Sequence, residues 1–200
     1  MTKYYYHFTG ETLRDGRPIP KIGEWLEHAG ELVPCESGLH ASEHPFDALS
    51  FAPGKWLHLV ELGGTIVPHG SPADKVVAQR RKIVKSVDAE KLMWDFARRV
   101  ALDVLPLWAD APDVVKRFLE TGDESIRDAA RAAAWDAAWD AARDAALDAA
   151  RDAARAAARD AAWDAALDAY LQKYRGWFKE MVDAAFETQN GRGIYRVRRH

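Results

Sequence analysis

The sequence predicts an α+β chain. A small, mixed, mostly-β domain should occupy residues 1–87, an all-α region with an Ala-rich tetrad-repeat helix or helices 88–187, and a basic tail 188–200. Three observations predict this. Up to Asp88 the chain is rich in Gly, Pro, His, Val and aromatic residues, and its apolar runs are short, as strands and turns require. Beyond Asp88, apolar residues recur at helical spacing. From Arg127 to Tyr170 the chain is written in fours, with Ala at most positions.

The elements follow in order. "KYYYHF" (3–8) is a strand, and "LRDGRPIP" is broken into turns by Gly and Pro. "GEWLEHAG" reads as holding one helical turn. "ELVPC" and "GLHAS" are short strands around a turn, and Pro45 opens a helix to about Ala52. "KWLHLVELGGTIV" predicts a strand, a Gly63–Gly64 break and a second strand. "KVVAQRRKIVKSV" (75–87) is β-branched and half polar, as in a strand with one wet face. Asp88 then caps an amphipathic helix that Pro106 kinks or ends. A second helix runs from Pro112, near its first turn, to Gly122 at its C-terminal cap. Thr121 and Glu124 have capping-box spacing for the next helix.

In the tetrad tract a step of four residues overshoots a turn by about 40°, so the Arg/Trp/Leu stripe and the Asp stripe wind around the helix. Trp139 and Trp163 therefore cannot share a face of one straight helix. Either one long helix meets different partners along its length, or the tract breaks into shorter packed helices, and usual helix lengths favour the break. Pairs such as Asp128–Arg131, Asp140–Arg143 and Asp148–Arg151 neutralise charge locally, which argues against an acidic nucleic-acid mimic. The period does not suit a heptad coiled coil. The tract reads best as a helical scaffold that packs within the chain or self-associates. "NGRGIYRVRRH" ends the chain with four arginines and reads as a solvated end, so nucleic acid is not an expected partner.

Net charge is −3, which argues neither for nor against a polyanionic partner. One cysteine excludes an internal disulfide and fits a reducing compartment. "MTKYYYHFTG" is no apolar leader, and no apolar run is long enough to span a bilayer. The expectation is a cytoplasmic protein without membrane contact.

Several constellations could carry chemistry. Cys35, His40 and His44, with His69 as a fourth, are metal-ligating types, but Cys-x4-His-x3-His fits no common zinc spacing, and no metal is expected. Cys35 as a nucleophile would need a histidine base, and His40 is too near in sequence to orient across a short turn, so a small buried thiol is expected. No phosphate-binding Gly loop follows a strand; the glycines at 54 and 63–64 mark turns.

The first domain as a whole offers more. "YHFT" (6–9), "HAS" (40–42), "DALSFA" (47–52) and "VELGG" (60–64) occur in an order that resembles the small ADP-ribosyltransferase fold, most closely the rifampin-modifying enzymes. A His in both the first and second motif positions looks like the His-His branch, which includes the RNA 2′-phosphotransferases. The resemblance implies that His7 holds the nicotinamide-side ribose of NAD, the main chain of Phe8 clamps the nicotinamide amide, and the His40 ring packs on the nicotinamide. Thr9 and Ser42 would support the cofactor. Cleavage of the C–N bond passes through an oxocarbenium-like state, so such a site must orient the ribose and stabilise positive charge. Phe8 stands where the family has Gly, and Glu61 and Asp74 align poorly with its acidic position.

The chain also resembles a group of phage and bacterial proteins without a settled biochemical function. The pieces that carry this are "CESGLHAS", "DAL" with "APG", "ALDVLPLW" with "APDVV", "LETGDE" and the "AAWDAARDAA" tail. The functions expected are therefore three. A phage-type accessory protein could carry out NAD-dependent ADP-ribosyl transfer or bind an NAD-like nucleotide. A non-catalytic protein could inhibit a host defence protein through the Ala/Trp-rich helices. A helical structural accessory could self-assemble.

Overall fold

The computed structural model describes residues 2–71, 73–137 and 160–190. It is a mixed α+β structure built on an antiparallel five-stranded sheet. The strands are β1 (Tyr4–Thr9), β2 (Trp25–Glu27), β3 (Leu39–Ala41), β4 (Trp56–Gly70) and β5 (Ala73–Asp88). The helices are α1 (Pro45–Leu49), α2 (Glu90–Val104), α3 (Asp113–Thr121), α4 over 127–137 and α5 (Asp160–Asn190).

The long β4–β5 hairpin is the frame. β1 pairs with the first half of β4, from Tyr4 opposite Glu61 to Thr9 opposite Trp56. The free edge of β5 takes β2 at Arg80–Lys82 and β3 at Val76–Ala78. One residue past β3, Ser42 pairs with Tyr6 of β1. The Tyr6 N–H donates to the Ser42 carbonyl at 2.8 Å, and the Ser42 N–H donates to the Tyr6 carbonyl at 2.9 Å. These two bonds join the free edge of β1 to β3, so the sheet closes on itself, which removes unpaired edge groups.

Alternation along the strands sorts the side chains into two faces. Tyr5, Val60 and Ile83 lie opposite one another on one face and form an apolar cluster with Ala41 and Val76, with Ile19 and Leu62 packed against it. That cluster is the inside of the closed sheet. Phe8, Leu57 and Val87 lie opposite one another on the outer face and are also buried.

Two compact units divide the described residues, 2–93 together with α5 from Arg175, and 94–137 together with 160–174. The boundary expected at Asp88 therefore falls a few residues later, and the end of α5 joins the sheet unit instead of the helical region. The reason is chemical. Arg175 grips Asp47 of α1 with both ends of its guanidinium, Nη2 to Oδ2 at 3.0 Å. The Phe178 ring, fully buried, meets Phe46 edge-on at 6.2 Å. Tyr6, on the Phe8 face of β1, lies within the fields of Lys179 and Asp183. In the second unit, Lys173 Nζ donates to both Asp103 oxygens at 2.5 and 2.7 Å, and the Arg127 guanidinium lies 4.1 Å from the Trp94 ring centroid.

Other expectations need correction. "GEWLEHAG" forms strand β2, because Trp25 finds a place opposite Lys82 with Arg80 and Lys82 over its ring, each 4.6 Å from the centroid. No break separates two strands at Gly63–Gly64. β4 runs through as one strand with a bulge between Gly63 and Ile66, and Gly64 takes a φ of 71° that a side chain would strain. α1 stops at Leu49 instead of Ala52. The capping box at Thr121 does not form. Asp123 instead accepts from the Ser125 N–H at 3.0 Å, and the Thr121 hydroxyl donates back to the Arg117 carbonyl at 2.7 Å. Asp88 caps α2 through its bond from the Glu90 N–H at 3.0 Å, and Gly122 ends α3 in the left-handed conformation. The middle of the tetrad tract, including Trp139, Asp140–Arg143 and Asp148–Arg151, and residues 191–200 of the basic tail lie outside the described residues.

Candidate functional site

The inner face of the sheet is apolar in the middle and polar at one end. His7 on β1 lies opposite His58 on β4, which lies opposite Ser86 on β5. The His7 and His58 rings stack with centroids 6.5 Å apart. Thr9, two residues beyond His7 on the same face, places Oγ1 2.8 Å from His58 Nε2. On the other side, His58 Nδ1 makes a short hydrogen bond with the Ser86 hydroxyl.

The direction of this chain can be worked out. The Thr9 hydroxyl has one proton, and the Gly10 carbonyl lies 3.0 Å away to accept it. Thr9 therefore accepts from His58 Nε2–H, which leaves Nδ1 bare to accept from Ser86. In the neutral ring only this tautomer satisfies all three bonds. The electrostatics agree. Burial first, and then Arg81, lower the His58 pKa from 6.5 to about 4.

Arg81 completes the cluster. It lies opposite Leu62 on β4, on the His58 face, and is 7% exposed. Its Nη1 donates to the His40 carbonyl at 2.6 Å. Burial lowers its pKa to about 10. His7 is held well below 6.5, by burial first and then by the charges of Arg81, His58 and His40. His7 and His40 thus share one electrostatic neighbourhood, although they come from strands far apart in sequence.

The residues picked from sequence separate as follows. His7 and Thr9 stand in the cluster. The ring stacked on His7 is that of His58, while the His40 ring turns to the 33–37 turn, where Nε2 accepts from the Cys35 N–H at 3.1 Å. Ser42 is buried and ties β3 to β1 through its main chain. The Phe8 ring packs on the outer face and does not crowd the cluster. Main-chain groups alternate along a strand, so the Phe8 N–H and C=O point toward the same edge as those of Tyr6, one step beyond the Ser42 pair. Glu61 alternates to the outer face and pairs with Lys82 at 2.7 Å.

The Cys-His constellation resolves into local roles. Cys35 sits at the turn tip with a φ of 73° and is exposed, contrary to the expected buried thiol, because the turn projects it from the sheet. Its Sγ lies 3.6 Å from His69 Nε2. His44 caps α1, Nδ1 accepting from the Phe46 N–H at 3.2 Å. No group of three or more metal-ligating side chains gathers among the described residues. No described helix is long and apolar enough to cross a membrane.

Sequence reading missed His58, Ser86 and Arg81. Strand parity carried the signal, since His58 alternates with Val60 and Leu62, and Arg81 with Ile83, all on one face.

A profile for a domain of unknown function, DUF7666, matches residues 4–95. The matched stretch holds all five strands and every residue of the cluster, and leaves out α3, α4 and α5. No curated protein and no solved structure matches the chain.

Proposed function

We propose that this protein binds an NAD-like nucleotide at the inner-face cluster, with ADP-ribosyl transfer as the activity to test, on an ADP-ribosyltransferase-like fold. The observation that carries the reading is the placing of His7, His58 and the inward-turned Arg81 on one face of the sheet, with Arg81 held by the His40 carbonyl. No carboxylate appears among the charges acting on Arg81, His7 or His58 in the described residues. A buried cation, Arg81, with no carboxylate beside it suits an anionic ligand. The Phe8 main chain at the β1 edge supports the reading too, because it is where an amide clamp would stand. The absence of a carboxylate from the cluster favours binding over transfer, since Glu61 is engaged on the other face.

The test is differential scanning fluorimetry of the full chain with NAD, ADP-ribose and nicotinamide, followed by incubation with labelled NAD. A rise in Tm with NAD and ADP-ribose is the expected result. No rise with either one would overturn the nucleotide reading. Binding without label transfer would leave a nucleotide-binding protein and dismiss the transferase.

A second reading, a protein that docks onto a host protein or onto its own copies, has one observation in its favour. In the helical unit Trp135 and Leu107 are largely exposed, at 71% and 74%. Light scattering at rising concentration tests self-association, and a strict monomer would dismiss it.

A further inference from the structure

The run Arg80–Arg81–Lys82 contains the sharpest asymmetry in the molecule. Arg80 and Lys82 alternate to the outer face. Each has a carboxylate there, Arg80 with Glu27 at 3.0 Å and Lys82 with Glu61 at 2.7 Å. Arg81 turns inward, is 93% buried, and has no acidic partner among the described residues. Physical chemistry would predict the reverse. Half-exposed cations gain little from pairing, whereas a buried guanidinium needs an anion or a full set of acceptors. Arg81 carries five N–H donors, and its one hydrogen bond among the described residues goes to the His40 carbonyl. The other titratable groups acting there are His7, His58 and His40, each with its pKa lowered. Both His58 nitrogens are engaged, by Thr9 and Ser86. The His7 ring is stacked but makes no hydrogen bond among the described residues, so it has an N–H to give.

We infer that Arg81 and His7 form the seat of an oxyanion, namely a phosphate group. The planar guanidinium offers two parallel N–H groups that match two oxygens of one phosphate, and His7 supplies a third donor from the neighbouring side. The chain keeps Arg81 without a carboxylate because the ligand brings the anion. The inference rests on reading the cluster as a ligand site, and it assigns the charged end of that ligand. A phosphate on a nucleotide and free phosphate share this chemistry, so both are tested.

The experiment measures Tm and calorimetric binding for the full chain with inorganic phosphate, pyrophosphate, ADP, adenosine and acetate, at matched ionic strength in sodium chloride. The expected result is stabilisation by the phosphate-bearing probes and none by adenosine. Arg81→Gln should weaken their binding by at least about tenfold. It should also melt no lower than wild type without ligand, since it removes a buried charge that lacks a counter-ion. Arg81→Lys keeps the charge without the fork and should fall between the two, and His7→Phe should weaken binding several-fold. If no phosphate-bearing probe stabilises the wild type, the seat does not exist. The same holds if Arg81→Gln responds as wild type does, or if it melts far lower and Arg81→Lys binds undiminished. The two readings can fail separately. Phosphate binding that depends on Arg81, without NAD binding, sinks the nucleotide and keeps the seat. NAD binding unchanged in Arg81→Gln sinks the seat and keeps the nucleotide.

Discussion

The two faces of β1, β4 and β5 are built from the same backbone ladder and buried by different means. On the outer face, Phe8, Leu57 and Val87 form a continuous apolar row, and α1 packs on β1. On the inner face, the row one step over is His7, His58 and Ser86, and each buried polar atom of His58 is matched by a named partner. The first row is cheap to bury and can do no chemistry. The second must be satisfied bond by bond, and Arg81 on the same face has no carboxylate among the described residues. The difference teaches that the two parities of the same strands are buried by different means, and the proposed ligand site falls on the inner one alone.

The largest expected effect belongs to the apolar elements. Phe178 is fully buried against Phe46, so Phe178→Ala should cost about 3–5 kcal/mol in urea unfolding. It should leave the pH dependence of stability as in wild type, because the inner face is untouched. A changed pH slope would break the separation of the two faces.

The inner face should next reveal itself through pH. The folded-state pKa of His58 is about 4, against 6.5 for the free side chain. A depressed pKa means that the unfolded chain takes up the proton first. The stability contribution is therefore complete above about pH 6.5 and is lost as pH falls through 4, by on the order of 3 kcal/mol. His7, lowered by burial and by Arg81, adds in the same direction. Unfolding curves between pH 7.5 and 4 should show the loss, and His58→Gln should flatten it. A flat wild-type profile would show that the histidines are wet in solution.

Local chemistry made much of this fold legible. Pro45 at the start of α1, Gly122 at the end of α3, Asp88 before α2 and the β-branched run of β5 each act within a few residues of themselves. What was not legible depends on distant pairing. β2 has helical-looking spacing and becomes a strand because Lys82 lies opposite Trp25. The Gly63–Gly64 pair reads as a stop and acts as a bulge, since β5 continues alongside. The site was half legible. His7 and Thr9 stood out in the first strand, but whether His58 or Leu57 turns inward depends on the register with β1, which composition does not reveal. His40 and Cys35 drew attention as chemistry and prove to be joined by a turn-closing hydrogen bond.

Smaller effects sharpen the comparison further. Thr9→Val is close to isosteric and suits a strand, yet it leaves the His58 Nε2–H without an acceptor. It should cost about 1–3 kcal/mol, the penalty of a buried donor left unmatched. Measured in the same urea titrations, a cost near zero would mean that Thr9 is not the partner of His58 in solution.

The smallest expected change comes from the largest replacement. In Thr9→Val/His58→Leu/Ser86→Ala the three side chains that bond one another become apolar together, so neither bond between them leaves an unmatched side chain. Exchanging both sides of a buried hydrogen bond for apolar groups of similar shape is close to neutral, so net stability should stay within about 1 kcal/mol of wild type. The pH-dependent loss between 6.5 and 4 should shrink to the share that His7 carries. Such a variant would be a sheet with two apolar faces that folds about as well as the natural one. If it also lost its response to phosphate-bearing probes, the polar row would owe its place to the ligand. A variant several kcal/mol less stable would instead show that the string holds the inner face together, and the division between a structural face and a functional face would fail.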